Sequence, residues 1–186
     1  MAKKSHSLLG SILILVGIVL CVVGFFCAFA PGAVQSQEQG GVSVTATINL
    51  IGLMFGNFSV MASGSMGGIT VDLDPVKING GMSYCALISV ILLALGVIIA
   101  ALMFFTKRKI LCYFSGLLIL LSAILIFFSL LAGSDILITE GGEITQSFTD
   151  YMEGAKLGIA VYLYAIFNLL GAVVIVIAGK ISKEFK

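Results

Sequence analysis

The chain has 186 residues, 60% of them hydrophobic and only 10% charged, with a formal net charge of +1 and a mean hydropathy of +1.19. That composition excludes an ordinary soluble globular protein, and the lengths of its parts leave no room for a large soluble domain. With charge so sparse and so nearly balanced, no nucleic-acid partner is expected, and the predicted partner is the lipid bilayer.

In chain order, the first element is an apolar run over residues 8–30, preceded by Lys3 and Lys4. It resembles a secretory signal, with Ala28-Phe29-Ala30 in place of a cleavage site. The run exceeds a usual signal core, however, and Pro31 follows the cut position, so it is predicted to remain as an anchor. Residues 31–83 form a first loop. Within it Val42 to Asn49 alternates apolar and polar residues, which predicts a half-buried strand. Residues 50–62 predict a second strand or a helix lying on the membrane, and residues 63–68 a flexible turn. A strand over 69–73 stops at Asp74-Pro75, and 76–78 is a further short pairing segment.

The second and third apolar runs, 84–105 and 110–132, are joined by Thr106, Lys107, Arg108 and Lys109. Residues 133–156 form a second loop that reads as a hairpin: 136–140, a Gly141-Gly142 turn, then 143–148. Thr149 or Asp150 is expected to cap a helix running on into the fourth apolar run, 157–178. Each run has 22 or 23 residues and contains no Asp, Glu, Lys, Arg or His. At about 1.5 Å per residue, that length crosses a hydrocarbon layer of roughly 30 Å.

Charge outside the runs is sorted by sign. The two termini and the 106–109 link hold eight cations against Glu184, for +7, whereas the two long loops hold eight acids against Lys77 and Lys156, for −6. Because Lys and Arg beside spans are retained inside, both termini are predicted to be cytoplasmic and the loops extracellular, in the plasma membrane.

Small residues recur every seven positions within the runs, at Gly10, Gly17 and Gly24, at Ser115, Ser122 and Ser129, and at Gly158, Ala165, Ala172 and Gly179. The second run is weaker, with Ser89 and Gly96. Seven residues are nearly two turns, so each set makes a stripe allowing close backbone approach, and the period suggests left-handed crossings. Asn168 falls on the stripe of the fourth run, where a buried amide is interhelical glue or part of a polar path. The expected fold is therefore an all-α, left-handed four-helix membrane bundle with a small extracellular antiparallel β-sheet built from both loops. The whole chain is one membrane domain.

In topology the chain resembles the claudin-like tetraspan group: four spans, internal termini, a larger first loop and a sheet made by both loops. The resemblance implies a structural or adhesive membrane protein. It is one of architecture, because that group's W-G-L-W and loop cysteines are missing from a chain with no Trp and no loop Cys.

No enzyme constellation is present. His6 lacks partners for a zinc or general-base role, and no cofactor is expected. Asp72 and Asp74 are two apart on a strand and could approach one Ca²⁺, although the more economical reading is a solvated acidic rim. Asn57-Phe58-Ser59 is a formal glycosylation sequon. Cys27 and Cys85 lie where a bridge is geometrically conceivable, and Cys112 is a candidate for palmitoylation. The leading expectation is a non-enzymatic structural, adhesion or assembly protein acting through its cap, as a homo-oligomer or with another membrane protein. The alternatives are a small channel, a transporter's membrane subunit, or an accessory subunit of another complex.

Overall fold

The computed structural model describes residues 2–39, 42–66, 69–72, 76–79, 81–134, 136–139 and 143–181. Asp74, Asp135, Glu140, the Gly67-Gly68, Gly80-Gly81 and Gly141-Gly142 turns (apart from Gly81) and Lys183 to Lys186 lie outside them. Among the described residues are four helices long and apolar enough to cross a membrane, and one antiparallel sheet. The chain divides into two compact units.

The first unit, Met1–Cys27, Ile88–Ile126 and Leu163–Lys186, is helical. It holds most of α1 (Ala2–Phe26), α3 (Tyr84–Thr106), α4 (Lys109–Leu125) and α6 (Ile159–Ile181). The predicted runs form helices, in which every backbone N–H and C=O is satisfied within its own segment, as a lipid environment would require. Helix α1 starts at Ala2, ahead of the apolar run, and so takes in Lys3, Lys4 and His6. Large apolar residues cover the unit's outside, among them Leu15, Ile98, Leu117 and Ile166, a surface suited to hydrocarbon and not to water.

Small residues mark where these helices touch. A Cβ on Gly17 would lie 2.6 Å from Ile175 Cγ1, one on Gly96 2.6 Å from Ile119, and one on Gly116 2.5 Å from Val176. Gly179 meets Cys112, and Gly171 meets Cys21. These contacts pair low α1 numbers with high α6 numbers, and the same inversion relates α6 to α4 and α4 to α3. Neighbours are thus antiparallel, and α1 is antiparallel to α3. The start of α1, the α3–α4 turn and the end of α6 consequently share one end of the unit, which collects Lys3, Lys4, Lys107, Arg108, Lys109 and Lys180. The turn is tight: Lys107 adopts a left-handed φ of 51°, and its N–H closes α3 on the Met103 carbonyl at 3.0 Å.

The second unit, Ala28–Leu87 and Phe127–Tyr162, carries the sheet. Its strands are β1 (Pro31–Gln39), β2 (Val42–Asn49), β3 (Asn57–Met66), β4 (Ile69–Asp72), β5 (Val76–Asn79), β6 (Ile136–Thr139), β7 (Glu143–Gln146) and β8 (Lys156–Leu157). They follow the order β7-β6-β5-β3-β2-β1-β8, with β4 beside β5 on β3. Both loops contribute, since β5 of the first pairs with β6 of the second, and β1 pairs with β8.

Several elements differ from the sequence reading. Residues 31–39 form β1, for which the polar run Gln35-Ser36-Gln37-Glu38-Gln39 gives no apolar alternation. Residues 50–62 are helix and then strand: α2 (Leu50–Phe55) is capped by the Asn49 side chain, which accepts from Gly52 N at 3.1 Å, and is stopped by Gly56 at a φ of 71°. Residues 63–66 continue β3 and are not a turn. The third run leaves α-helix at Leu125, ahead of 132, and ends in a 3-10 turn. No helix runs from 149 into the fourth span. Instead α5 (Phe148–Tyr151) stops, the chain turns at Gly154 with a φ of 76°, β8 forms, and α6 begins at Ile159.

The core of this unit sits at the base of the sheet. Leu50, Leu53, Met54 and Phe148 are fully or almost fully buried, with Ala33 and Ile48 beside them. Close backbone contacts hold it together: Leu50 N to Ala30 O at 3.2 Å, Ser83 N to Leu53 O and Gly158 N to Gly32 O at 2.8 Å. Ser83 caps α3, its Oγ accepting from Ala86 N at 3.2 Å.

Candidate functional site

Two features could carry function, one in each unit. In the helical unit, Ser89 of α3, Ser122 of α4 and Tyr164 of α6 are each fully buried and their hydroxyls meet. Ser89 Oγ lies 2.9 Å from the Ser122 carbonyl, 3.0 Å from Ser122 Oγ and 3.2 Å from Tyr164 OH. Ser122 Oγ lies 3.0 Å from Tyr164 OH. One chain of donation uses every proton: Tyr164 to Ser122, Ser122 to Ser89, and Ser89 to the Ser122 carbonyl. No donor is left over, and the hydroxyls join three helices. Nearly two turns closer to the basic end, Ser115 Oγ donates to the Gly96 carbonyl at 2.7 Å, tying α4 to α3.

Asn168 breaks the pattern. It is fully buried on α6, and neither Nδ2 nor Oδ1 has a hydrogen-bond partner among the described residues. A Cβ on Gly24 of α1 would lie 3.1 Å from Oδ1, so the amide oxygen faces the glycine stripe.

The structure separates the stripe residues. Gly17, Gly24, Ser115, Ser122, Ala165, Asn168 and Ala172 are buried within the helical unit, as is Gly10. Gly158 and Ser129 are not helix-packing positions. Gly158 precedes α6, and a Cβ there would run into the Pro31 carbonyl of β1. Ser129 lies in a turn after α4, fully buried, its Oγ without a partner among the described residues. Tyr164, which lies on none of the small-residue stripes, is the residue sequence reasoning missed. Its i−4, i+4 relation to the buried Ala160 and Asn168 was the available signal.

In the sheet, the register sorts charge by face. Directly opposed residues of an antiparallel pair share a face, and the faces alternate along each strand. Tracing the pairs from Glu38↔Ser43↔Ser65↔Thr70 and Ser36↔Thr45↔Ser63↔Asp72 to Ser59↔Lys77, Thr139↔Glu143 and Val34↔Lys156 puts all five charged strand residues on one face. The other face carries the row Gln37↔Val44↔Gly64↔Val71 and no charge.

The remaining candidates are dispersed. Asp72 is exposed at the end of β4, and Asp74 lies outside the described residues, among which no group of three His, Cys, Asp or Glu comes together. Asn57 opens β3, paired with Asn79. All four cysteines are free thiols. Cys112 is fully buried against Gly179, so no lipid chain can reach it in this fold.

No protein-family model matches the chain, and no curated protein is significantly similar to it.

Proposed function

We propose that this chain is a non-enzymatic, four-span protein of the plasma membrane with cytoplasmic termini, whose sheet is an extracellular contact surface in a structural, adhesive or assembly role. The observation that carries this reading is the segregated, single-layered sheet. Its far strands expose Val44 and Val71 on the face without charged residues, and a sheet with an exposed apolar face is completed by a second layer. The basic end of the helical unit supports internal termini through the positive-inside rule. The claudin-like resemblance in architecture points to the same role.

The test is extraction in mild detergent followed by electron microscopy and native mass measurement. A defined assembly, of copies or of this chain with another membrane protein, joined through the sheet supports the proposal. A monomer that conducts ions or solutes in liposomes overturns it.

One observation favours a second reading, a channel or the membrane subunit of a transporter: the unpartnered Asn168 at mid-span beside the hydroxyl junction. Flux that is lost in Asn168→Leu would establish that reading in place of the first.

A further inference from the structure

Between α4 and α6 the surface of the helical unit is cut by a groove of about 340 Å³, apolar in its lining apart from the Tyr113 hydroxyl. Its floor is where the two helices touch, Gly116 against Val176. The stretch from Tyr113 to Leu120 runs about 11 Å along α4, within the ~15 Å depth of a single hydrocarbon leaflet.

The mouth of the groove differs from its length. On α4, Lys109 stands four residues before Tyr113 and seven before Gly116, and on α6, Lys180 stands four residues after Val176 and seven after Val173. Both spacings keep a residue on one helix face, so each wall of the groove ends in a lysine. The helix ends meet there: a Cβ on Gly179, next to Lys180, would lie 2.6 Å from Cys112 Cβ and 3.9 Å from the Lys109 carbonyl. Lys180 is exposed and Lys109 half-buried, and the described residues of this unit include no acid to neutralise them. Tyr113 leans toward the same end, because helical Cα–Cβ bonds tilt toward the N-terminus. The first N–H groups of α4, which Arg108 leaves without a side-chain cap, add to the attraction for an anion.

We propose that this groove binds one anionic phospholipid, an acyl chain lying along Tyr113 to Leu120 and the headgroup phosphate held by Lys109 and Lys180. The inference rests on the four-span reading and is independent of any role for the sheet. Lining and mouth choose the occupant together. A free anion has no use for an apolar groove, and a sterol or a zwitterionic lipid leaves two lysines without a net negative partner. A lipid with a net negative headgroup uses both. Internal termini would place the mouth in the cytoplasmic leaflet, where such lipids are concentrated.

The experiment is native mass measurement of the full chain in detergent, titrated with phosphatidylglycerol or with phosphatidylcholine of the same acyl chains. One saturable adduct is expected, about tenfold tighter with phosphatidylglycerol, since each lysine at a headgroup contributes about fivefold. Lys109→Gln with Lys180→Gln should weaken it about 25-fold, and Lys180→Gln by itself about fivefold, which stays readable if loss of the half-buried Lys109 disturbs folding. Lys3→Gln with Lys4→Gln removes the same charge from α1, which does not line the groove, and should change binding less than about twofold. Val173→Trp, at an exposed wall position, should fill the groove and weaken binding about tenfold with the thermal midpoint unchanged. Equal binding of the two lipids, an equal loss from the Lys3 and Lys4 pair, or no effect of Val173→Trp overturns the site. Displacement of phosphatidylglycerol by an equal concentration of glycerol 3-phosphate also overturns it, because the anion then suffices without the chain. Release of the protein from membranes by alkaline carbonate overturns the four-span reading and the site together, whereas a protein that resists carbonate and shows no lipid preference overturns the site alone.

Discussion

Replacing Asn168 by leucine should make the protein more stable, although asparagine is the only amide in the four apolar runs. The hydroxyl junction is complete without it: Tyr164, Ser122, Ser89 and the Ser122 carbonyl satisfy one another. Removing the amide therefore breaks no close hydrogen bond among the described residues, only a weak contact with the Tyr164 hydroxyl one turn away, and relieves two poorly satisfied buried groups, Nδ2 and Oδ1. An unsatisfied buried polar group costs about 1–3 kcal/mol. Leucine is close in volume, and Gly24 presents no Cβ to its methyls. Yet the 3.1 Å approach at that glycine is tight, and crowding of this kind returns about 1 kcal/mol. The expected net gain is about 1–2 kcal/mol, or roughly 5–30-fold in the opening equilibrium.

The buried thiols supply the assay. Cys21 and Cys112 are fully buried, and Cys21 Sγ lies 2.5 Å from the place a Cβ on Gly171 would take, so a thiol-reactive dye reaches it only when α1 and α6 part. Labelling through an SDS titration should shift to higher denaturant in Asn168→Leu. A shift of 1 kcal/mol or more in the opposite direction would refute the reasoning, because it would mean that the amide has a partner in the membrane. Loss of flux in the same variant would give that partner a transport role.

Three further outcomes are expected. Tyr164→Phe removes one donor from the junction and leaves the two serines paired, so by the same labelling it should cost about 0.6 kcal/mol and at most about 1.7. Gly158→Ala forces a methyl against the Pro31 carbonyl, a backbone group that cannot swing aside, and should destabilise by about 3 kcal/mol, seen as a lowered thermal midpoint. Burial raises the pKa of Tyr151 above its ordinary value of 10.0. Because the folded state holds the neutral phenol, its contribution is intact below pH 10 and is lost as pH rises through the raised folded value. Unfolding followed against pH should show that alkaline loss, and Tyr151→Phe should remove its share.

The four long apolar helices were legible because their length and their absence of charge are what a lipid environment would demand. The stripe was legible where a small residue faces a neighbouring helix, as at Gly17, Gly24 and Ser122. It misled at Gly158 and Ser129, where the same spacing continues past the helix ends into turns and close backbone crossings. The hydroxyl junction was half legible: Ser89 and Ser122 could be placed on stripes, but nothing in a single chain says that Tyr164 reaches across to them. In the loops, the strand at Val42–Asn49 follows from its alternation. Strand β1 does not, because its outer part is a polar run whose pairing is set by β2. The segment 50–55 was ambiguous for a physical reason, since a six-residue apolar run has too few turns for its period to tell helix from strand. Its helix depends on Asn49 as cap and on the burial of Leu50, Leu53 and Met54, which packing against β1, β2 and β3 supplies.

The antiparallel order of the helices gives the sign-sorted charge a structural basis. With α1, α6, α4 and α3 each inverted relative to the next, the described cations of the helical unit have one end to occupy, and Lys107 takes a left-handed conformation to make its turn there. Among the described acids, Glu38, Asp72 and Glu143 lie on strands of the other unit, where the register sets them, with Lys77 and Lys156, on one face of the sheet. The second sorting is not required by the order of the strands, since either face of the sheet could carry charge. A charge-free face over the exposed Val44 and Val71 leaves apolar surface in water, at about 25 cal/mol per Å².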